Sequence, residues 1–250
     1  MNQFVHAIEW IFTAANWSRV QLGAGIGGQL GYHVELSAIS LGIAAVVAVP
    51  LGMAVGHTRR GQFAAVSIAN IGRAIPSFAL LVLAFIVVSN LRPSLGFSML
   101  STIIALVVLA IPPILINTYV GVEGVDAGTV EAARGMGLGP RQILVDIEVP
   151  LAAPLIMAGL RTSAVAVVAT ATLAGFAGGG GLGVFLYLGF AQPGQEQILI
   201  GGAILVAVLA LLTDVLFALL ERAVTPRTRS NGKQRVVPAP LPVAASAAQT

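Results

Sequence analysis

Apolar residues in this chain come in long unbroken runs, unlike the alternating or amphipathic patterns of a water-soluble domain. A helix needs about 20 apolar residues to cross a hydrocarbon core roughly 30 Å thick. Five segments qualify: 36–56, in the uncharged interval from Glu35 to Arg59; 74–91, bounded by Arg73 and Arg92; 101–120, between Arg92 and Glu123; 154–177, carrying Arg161; and 197–220, carrying Asp214. Pro50, Pro76, Pro112 and Pro113 lie in or beside these runs. Membrane helices tolerate proline because neighbouring helices re-satisfy the carbonyls it frees. The pattern predicts an all-α membrane domain over 34–222.

The flanks read differently. Residues 4–17 follow a helical period, with Phe4, Ile8, Ile11, Phe12 and Ala15 on one face and His6, Glu9, Thr13 and Asn16 on the other. That helix is too short to span. Segment 1–33 is therefore expected to be extracytoplasmic, with an amphipathic helix lying on the membrane, a place the two Trp residues suit. A signal peptide is not expected, since no basic stretch precedes the apolar residues and Glu9 interrupts them. Residues 223–250 turn to Pro, Ala, Ser and Arg without periodicity and are expected to form a disordered cytoplasmic tail.

Composition sharpens this picture. The chain is 57% hydrophobic and 9% charged, with a mean hydropathy of +0.93. A soluble domain is about 25% charged, so these side chains cannot cover a water-facing surface and the lipid bilayer is the expected solvent. The pI near 10.0 reports scarce acids, not a nucleic-acid-binding patch. The absence of cysteine excludes disulfides, thiolate ligands and a cysteine nucleophile. Basic residues also orient the chain. Arg59, Arg60, Arg73, Arg134, Arg141, Arg161, Arg222, Arg227, Arg229, Lys233 and Arg235 fall on one side, against Arg19 and Arg92 on the other. By the positive-inside rule the N-terminus lies outside and the C-terminus in the cytoplasm.

One segment breaks the apolar pattern. Between Glu123 and Glu148 the chain carries Glu123, Asp126, Glu131, Arg134, Arg141, Asp146 and Glu148, inside a cytoplasmic loop over 121–153. Asp126 or Thr129 can cap a short helix with Glu131 in its first turn. Gly135, Gly137 and Gly139 would end that helix. Pro140 is placed to open a second one, running to about Glu148 before Pro150 stops it, with Ile143, Leu144 and Ile147 as its apolar stripe. Two short helices separated by small residues make a surface that another protein can approach closely.

This segment resembles the cytoplasmic loop of ABC-importer permeases, which has the form EAA, three residues, Gly, nine residues, Ile, one residue, Leu-Pro. Glu131, Ala132, Ala133, Gly137, Ile147 and Pro150 fall at that spacing, and Val149 in place of Leu is the sole departure. The resemblance covers most of 34–222. It is closest to the osmoprotectant branch, through "AVPLGMAVGHTRRG" (48–61), "AIPPILINTYVGVEGVDAGTVEAARGMG" (110–137) and "ATATLAGFAGGGGLG" (169–183). It implies a type I importer bundle of five core spans in a bacterial cell membrane, carrying glycine betaine, choline, carnitine or proline-like solutes. The implied partners are an ABC ATPase subunit that grips the loop around Glu131–Arg134 and Gly137, a second permease copy or paralogue, and a separate extracytoplasmic binding protein. ATP and Mg²⁺ would act on the ATPase subunit, with no cofactor in this chain.

Other features admit sharper and plainer readings. "GGGGLG" at 178–183 contains GxGxxG, but it follows a membrane helix on the outer side, where a dinucleotide site would need a preceding strand. Gly178, Gly179, Gly180 and Gly181 read better as a flexible re-entrant turn forming part of an outer gate. No Walker A motif is found, and His6, His33 and His57 are too scattered for a metal site. Arg161 and Asp214 each lie roughly 10 Å from a cytoplasmic helix end. Either they pair and lock the fourth span to the fifth, or Arg161 snorkels to the interface while Asp214 bonds a nearby Ser or Thr. Asn117, Thr118, Tyr119, Thr170 and Thr172 are pore-lining candidates, with helix–helix hydrogen bonding the plainer use of each. Three rival functions are an ABC permease for an amino acid or sulfonate, an ion-coupled secondary transporter, and an intramembrane enzyme. The second calls for inverted repeats and deep acids, the third for a catalytic constellation at depth; neither pattern stands out.

Overall fold

The computed structural model describes residues 2–18, 25–95 and 99–224, so the tail beyond Val224 and the counted Arg19 lie outside the described residues. Every regular element among them is helical. Helices α1 (Asn2–Phe12) and α2 (Ala14–Ser18) precede α3 (Ile26–Thr58), and α4 (Gln62–Ala74) and α5 (Ser77–Leu91) lead to α6 (Met99–Glu123). Helix α7 (Ala127–Gly135) and the single turn α8 (Pro140–Gln142) form the charged segment. Helix α9 (Val149–Thr170), the short α10 (Leu173–Phe176), α11 (Gly183–Ala191) and α12 (Glu196–Val224) complete the chain. Among the described residues, four helical runs are long and apolar enough to cross a membrane: α3, α6, the continuous run Pro140–Phe176, and α12. The bent pair Gln62–Gly72 and Ser77–Leu91 makes a fifth if counted as one span.

That bend falls at Ile75–Pro76. A residue before proline is pushed out of the helical region, and Ile75 is extended at φ −80°, ψ 125°. The two helices consequently meet at 93°. The expected span 74–91 is thus cut to α5, whose 15 residues reach only about 22 Å at 1.5 Å per residue. The expected boundary between residues 33 and 34 falls inside α3, which begins at Ile26. The polar residues Gln29 and His33 on this first stretch are both buried.

Helices α3 and α6 run parallel along a seam of small residues. Ala44, Ala48, Gly52 and Gly56 recur at every fourth position of α3 and are buried. A Cβ on Gly52 would stand 2.7 Å from Cβ of Thr118, and one on Gly56 would stand 2.7 Å from Cβ of Val122. In lipid, helices associate through such close backbone approach, since solvent exclusion supplies little. Helix α9 joins the seam through Ser163, whose Oγ donates to the Ala110 carbonyl at 2.9 Å. Leu36, Leu106, Ile114, Leu115 and Val167 fill the shared core.

A second core, of Ile26, Leu182 and Phe185, collects Trp10, Leu30 and Ile198. Here α1 packs against α12 and the start of α11. The Trp10 ring meets Phe185 edge-on at 5.2 Å, and Ala7 and Ile11 turn inward. Only Ile11 of the expected apolar face is buried, while Phe4, Ile8 and Phe12 stay exposed. The reason is that Gly201 of α12 offers no side chain, which leaves room for the Trp10 ring.

Candidate functional site

The charged segment is built from two capped helical turns. Asp126, not Thr129, is the N-cap of α7, accepting the Thr129 amide at 2.9 Å. Glu131 therefore falls just beyond the first turn. At the other end, Leu138 N–H donates to the Ala133 carbonyl and Gly137 N–H to the Arg134 carbonyl. This paired bonding closes a helix through a left-handed residue, and Gly137 supplies it at φ +86°. Gly139 N–H then donates to Oε1 of Gln142, and Pro140 opens the next turn. Ala133 and Ile143 are buried, whereas Glu131, Ala132, Arg134, Met136, Gly137 and Pro150 are exposed. The result is a capped, exposed elbow with Ala133 and Ile143 held inward.

Pro150 does not end the second helix. Residues Ile143–Glu148 form a π-helical turn that leads directly into α9. Val149 N–H donates to the Leu144 carbonyl, five residues back, so the register has already shifted where Pro150 lacks a donor. The segment and the fourth span are one continuous element.

Two anchors at this end escaped the sequence reading. His57 Nδ1 lies 2.5 Å from Oε2 of Glu148, which is buried at the end of the π turn. Gln62 donates to the Tyr119 hydroxyl and, at 3.4 Å, to Glu123. These partners lie far apart in sequence, so no local spacing announces them. The available signal was general: a polar group in an apolar helix needs a partner.

At the opposite end, the glycine turn packs against neighbouring helices. Gly178 and Gly181 adopt positive φ of 77° and 92°. Gly181 N–H donates to Gln29 Oε1 at 2.6 Å, and Leu182 N–H donates to His33 Nδ1 at 3.2 Å. His33 Nε2 lies 2.9 Å from the Val168 carbonyl. An amide can only donate and a carbonyl can only accept, so His33 is the neutral Nε2–H tautomer. Gly180 lies on the Tyr32 ring, and a Cβ on Gly179 would meet the Ala174 carbonyl at 3.0 Å.

Arg161 and Asp214 are paired. Nε and Nη2 of Arg161 donate to the two carboxylate oxygens at 2.7 Å each, and Glu221 stands 3.6 Å from Nη1. Their side chains remain about one-third exposed on a cleft of about 380 Å³ shared with Thr162 and Val165. The pore-lining candidates separate. Thr118 and Tyr119 are buried in the α3–α6 seam, where the close approach of Gly52 and Gly56 draws them in. Asn117 donates to the Pro113 carbonyl of its own helix at 2.8 Å, and Thr172 to the Ala169 carbonyl at 2.7 Å. Thr170 stands with Ser77 and Thr102 in a narrow crevice between α5 and α6.

Comparison with known proteins agrees with this architecture. Residues 48–226 match the family described as "Binding-protein-dependent transport system inner membrane component". The glycine betaine/carnitine/choline transport system permease protein OpuCB of Bacillus subtilis (strain 168) is 40% identical over 205 residues, covering 80% of this chain and 91% of that protein. The choline transport system permease protein OpuBB of the same organism is 40% identical over 204 residues, covering 80% and 90%. An inward-facing structure of the MetNI methionine ABC transporter matches with a TM-score of 0.70 at 24% identity, over 80% of this chain and 96% of that one, which is a likeness of fold. The chain belongs to the family of binding-protein-dependent transport system inner membrane components.

Proposed function

We propose that this chain is the membrane-spanning permease of an ATP-driven importer for osmoprotectants such as glycine betaine, choline, carnitine or proline-like compounds. The observation that carries the substrate class is the 40% identity, over four-fifths of the chain, to permeases named for those solutes. The capped elbow from Asp126 to Pro150 supports the mode of action. It is exposed, it continues into a membrane-crossing helix, and it is the segment that a separate ATPase subunit would grip. ATP and Mg²⁺ act on that subunit. Closure of the ATPase pair displaces the elbows, opens the path outward to a solute-loaded binding protein, and hydrolysis resets it inward. A second copy or a paralogue completes the path. The Arg161–Asp214 cleft fits an aqueous wall of that path, because charged groups at membrane depth are costly against lipid.

The test is reconstitution of the chain with its ATPase and binding protein in liposomes, reading uptake of labelled glycine betaine. Choline, carnitine or proline in excess should compete and methionine should not. Competition by methionine alone would transfer the chain to an amino-acid importer. Uptake driven by an ion gradient without ATP would remove it from ATP-driven transport.

A further inference from the structure

Glu148 is only 6% exposed, yet it stands where the elbow enters the membrane domain. Its Oε2 meets Nδ1 of His57, in the last turn of α3, at 2.5 Å. The backbone is shaped for this contact. A π turn inserts one residue into the helical register, which rotates the side chains beyond it by about 100° relative to an α-helix. That shift falls at Ile143–Glu148 and directs Glu148 toward α3. The attachments at either end matter as much. Glu148 lies between Ile147 of the docking motif and the first residue of α9. His57 lies in the last turn of α3, whose Gly52 and Gly56 sit closely against α6. The contact is short and part-buried and ties the two elements directly, and closely packed helices shift as units instead of deforming.

We infer that the His57–Glu148 pair transmits motion: when the elbow is displaced from the cytoplasm, Glu148 carries α3 with it, and the glycine seam carries α6. Both are positioning residues and touch neither solute nor nucleotide. The inference rests on the elbow being the ATPase-docking segment, and it adds which contact passes the force onward.

The experiment uses the complete complex in liposomes and measures three quantities: ATPase subunit retained, ATP hydrolysed, and glycine betaine imported. Glu148→Gln and His57→Asn should retain the ATPase subunit and keep hydrolysing ATP, while solute imported per ATP falls about five-fold or more. The exchange His57→Glu with Glu148→His should recover most of that ratio. Because the chain has no cysteine, His57→Cys with Glu148→Cys can also be bridged by a short bifunctional thiol reagent. The bridged complex should still transport, since the two positions move together. An unchanged ratio in the single variants, an exchange that recovers nothing, or arrest on bridging overturns the inference. If a single variant fails to assemble, the exchange and the bridged pair still decide. A wild-type complex that retains no ATPase subunit overturns the docking reading itself. Retention by wild type with unmoved ratios in the variants overturns only the transmission role.

Discussion

Two single residues carry distinct physical demands. His33 bridges the Leu182 amide and the Val168 carbonyl deep inside the protein, 0% exposed. His33→Leu would leave the Leu182 amide buried and unpaired, at a cost of about 1–3 kcal/mol. We expect a lower unfolding temperature for the purified complex and reduced uptake, read by thermal melting and transport in the same preparation. An unaltered melt would mean that the glycine turn does not depend on this clasp. Gly137 is the opposite case, with its φ of +86° and nothing within 4 Å of a Cβ built there. Gly137→Asp adds left-handed strain of roughly 1–2 kcal/mol, which a folded bundle can absorb, but it also places a charged group on the exposed elbow. Solute-stimulated ATPase activity should be lost while the permease still folds and extracts normally. Full activity would show that the ATPase does not approach this point.

At the scale of elements, the small-residue seam sets the geometry of the bundle. Gly52→Leu would drive a side chain into Thr118 and the Leu115 carbonyl. Overpacking of this kind costs about 1–3 kcal/mol and often more. Gly42→Leu, on the same helix with nothing within 4 Å, is the control. The first should yield aggregated protein in size-exclusion chromatography and the second a normal profile; equal behaviour would remove the seam as a determinant. This seam was visible in the sequence as Ala44, Ala48, Gly52 and Gly56, but counting apolar residues detects a span without saying which face meets which neighbour. The same limit explains Pro150. Proline is read locally as a stop, and only the π turn before it lets the helix continue. Apart from 74–91, which is broken at Pro76, the spans were legible, because lipid admits few alternatives to a long apolar helix. The elbow was legible too, since its caps act within a few residues. The clasp of His33 on Leu182 and the tie of His57 to Glu148 were not, because long-range partners leave no periodic trace.

For the whole molecule, the deciding property is which membrane face carries the elbow. The helix ends at Thr58, Glu123 and Val149 gather at one side, joined by the contacts of His57 with Glu148 and Arg59 with the Glu123 carbonyl. Arg59, Arg60, Arg134 and Arg141 lie there, and Arg92 lies past the far end of α5. On the proposed reading the arginine-rich side is the cytoplasmic one, the side from which the proposed ATPase subunit would act. Single cysteines test this directly in a chain that has none. Met136→Cys lies on the elbow at 72% exposure, and Gln192→Cys lies exposed in the α11–α12 connection. A membrane-impermeant maleimide should label Gln192→Cys in right-side-out vesicles and Met136→Cys only in inverted ones. Added ATPase subunit should then shield Met136→Cys and leave Gln192→Cys reactive in opened membranes. Labelling of Met136→Cys from outside would reverse the topology, and with it every role that places a cytoplasmic motor on the elbow.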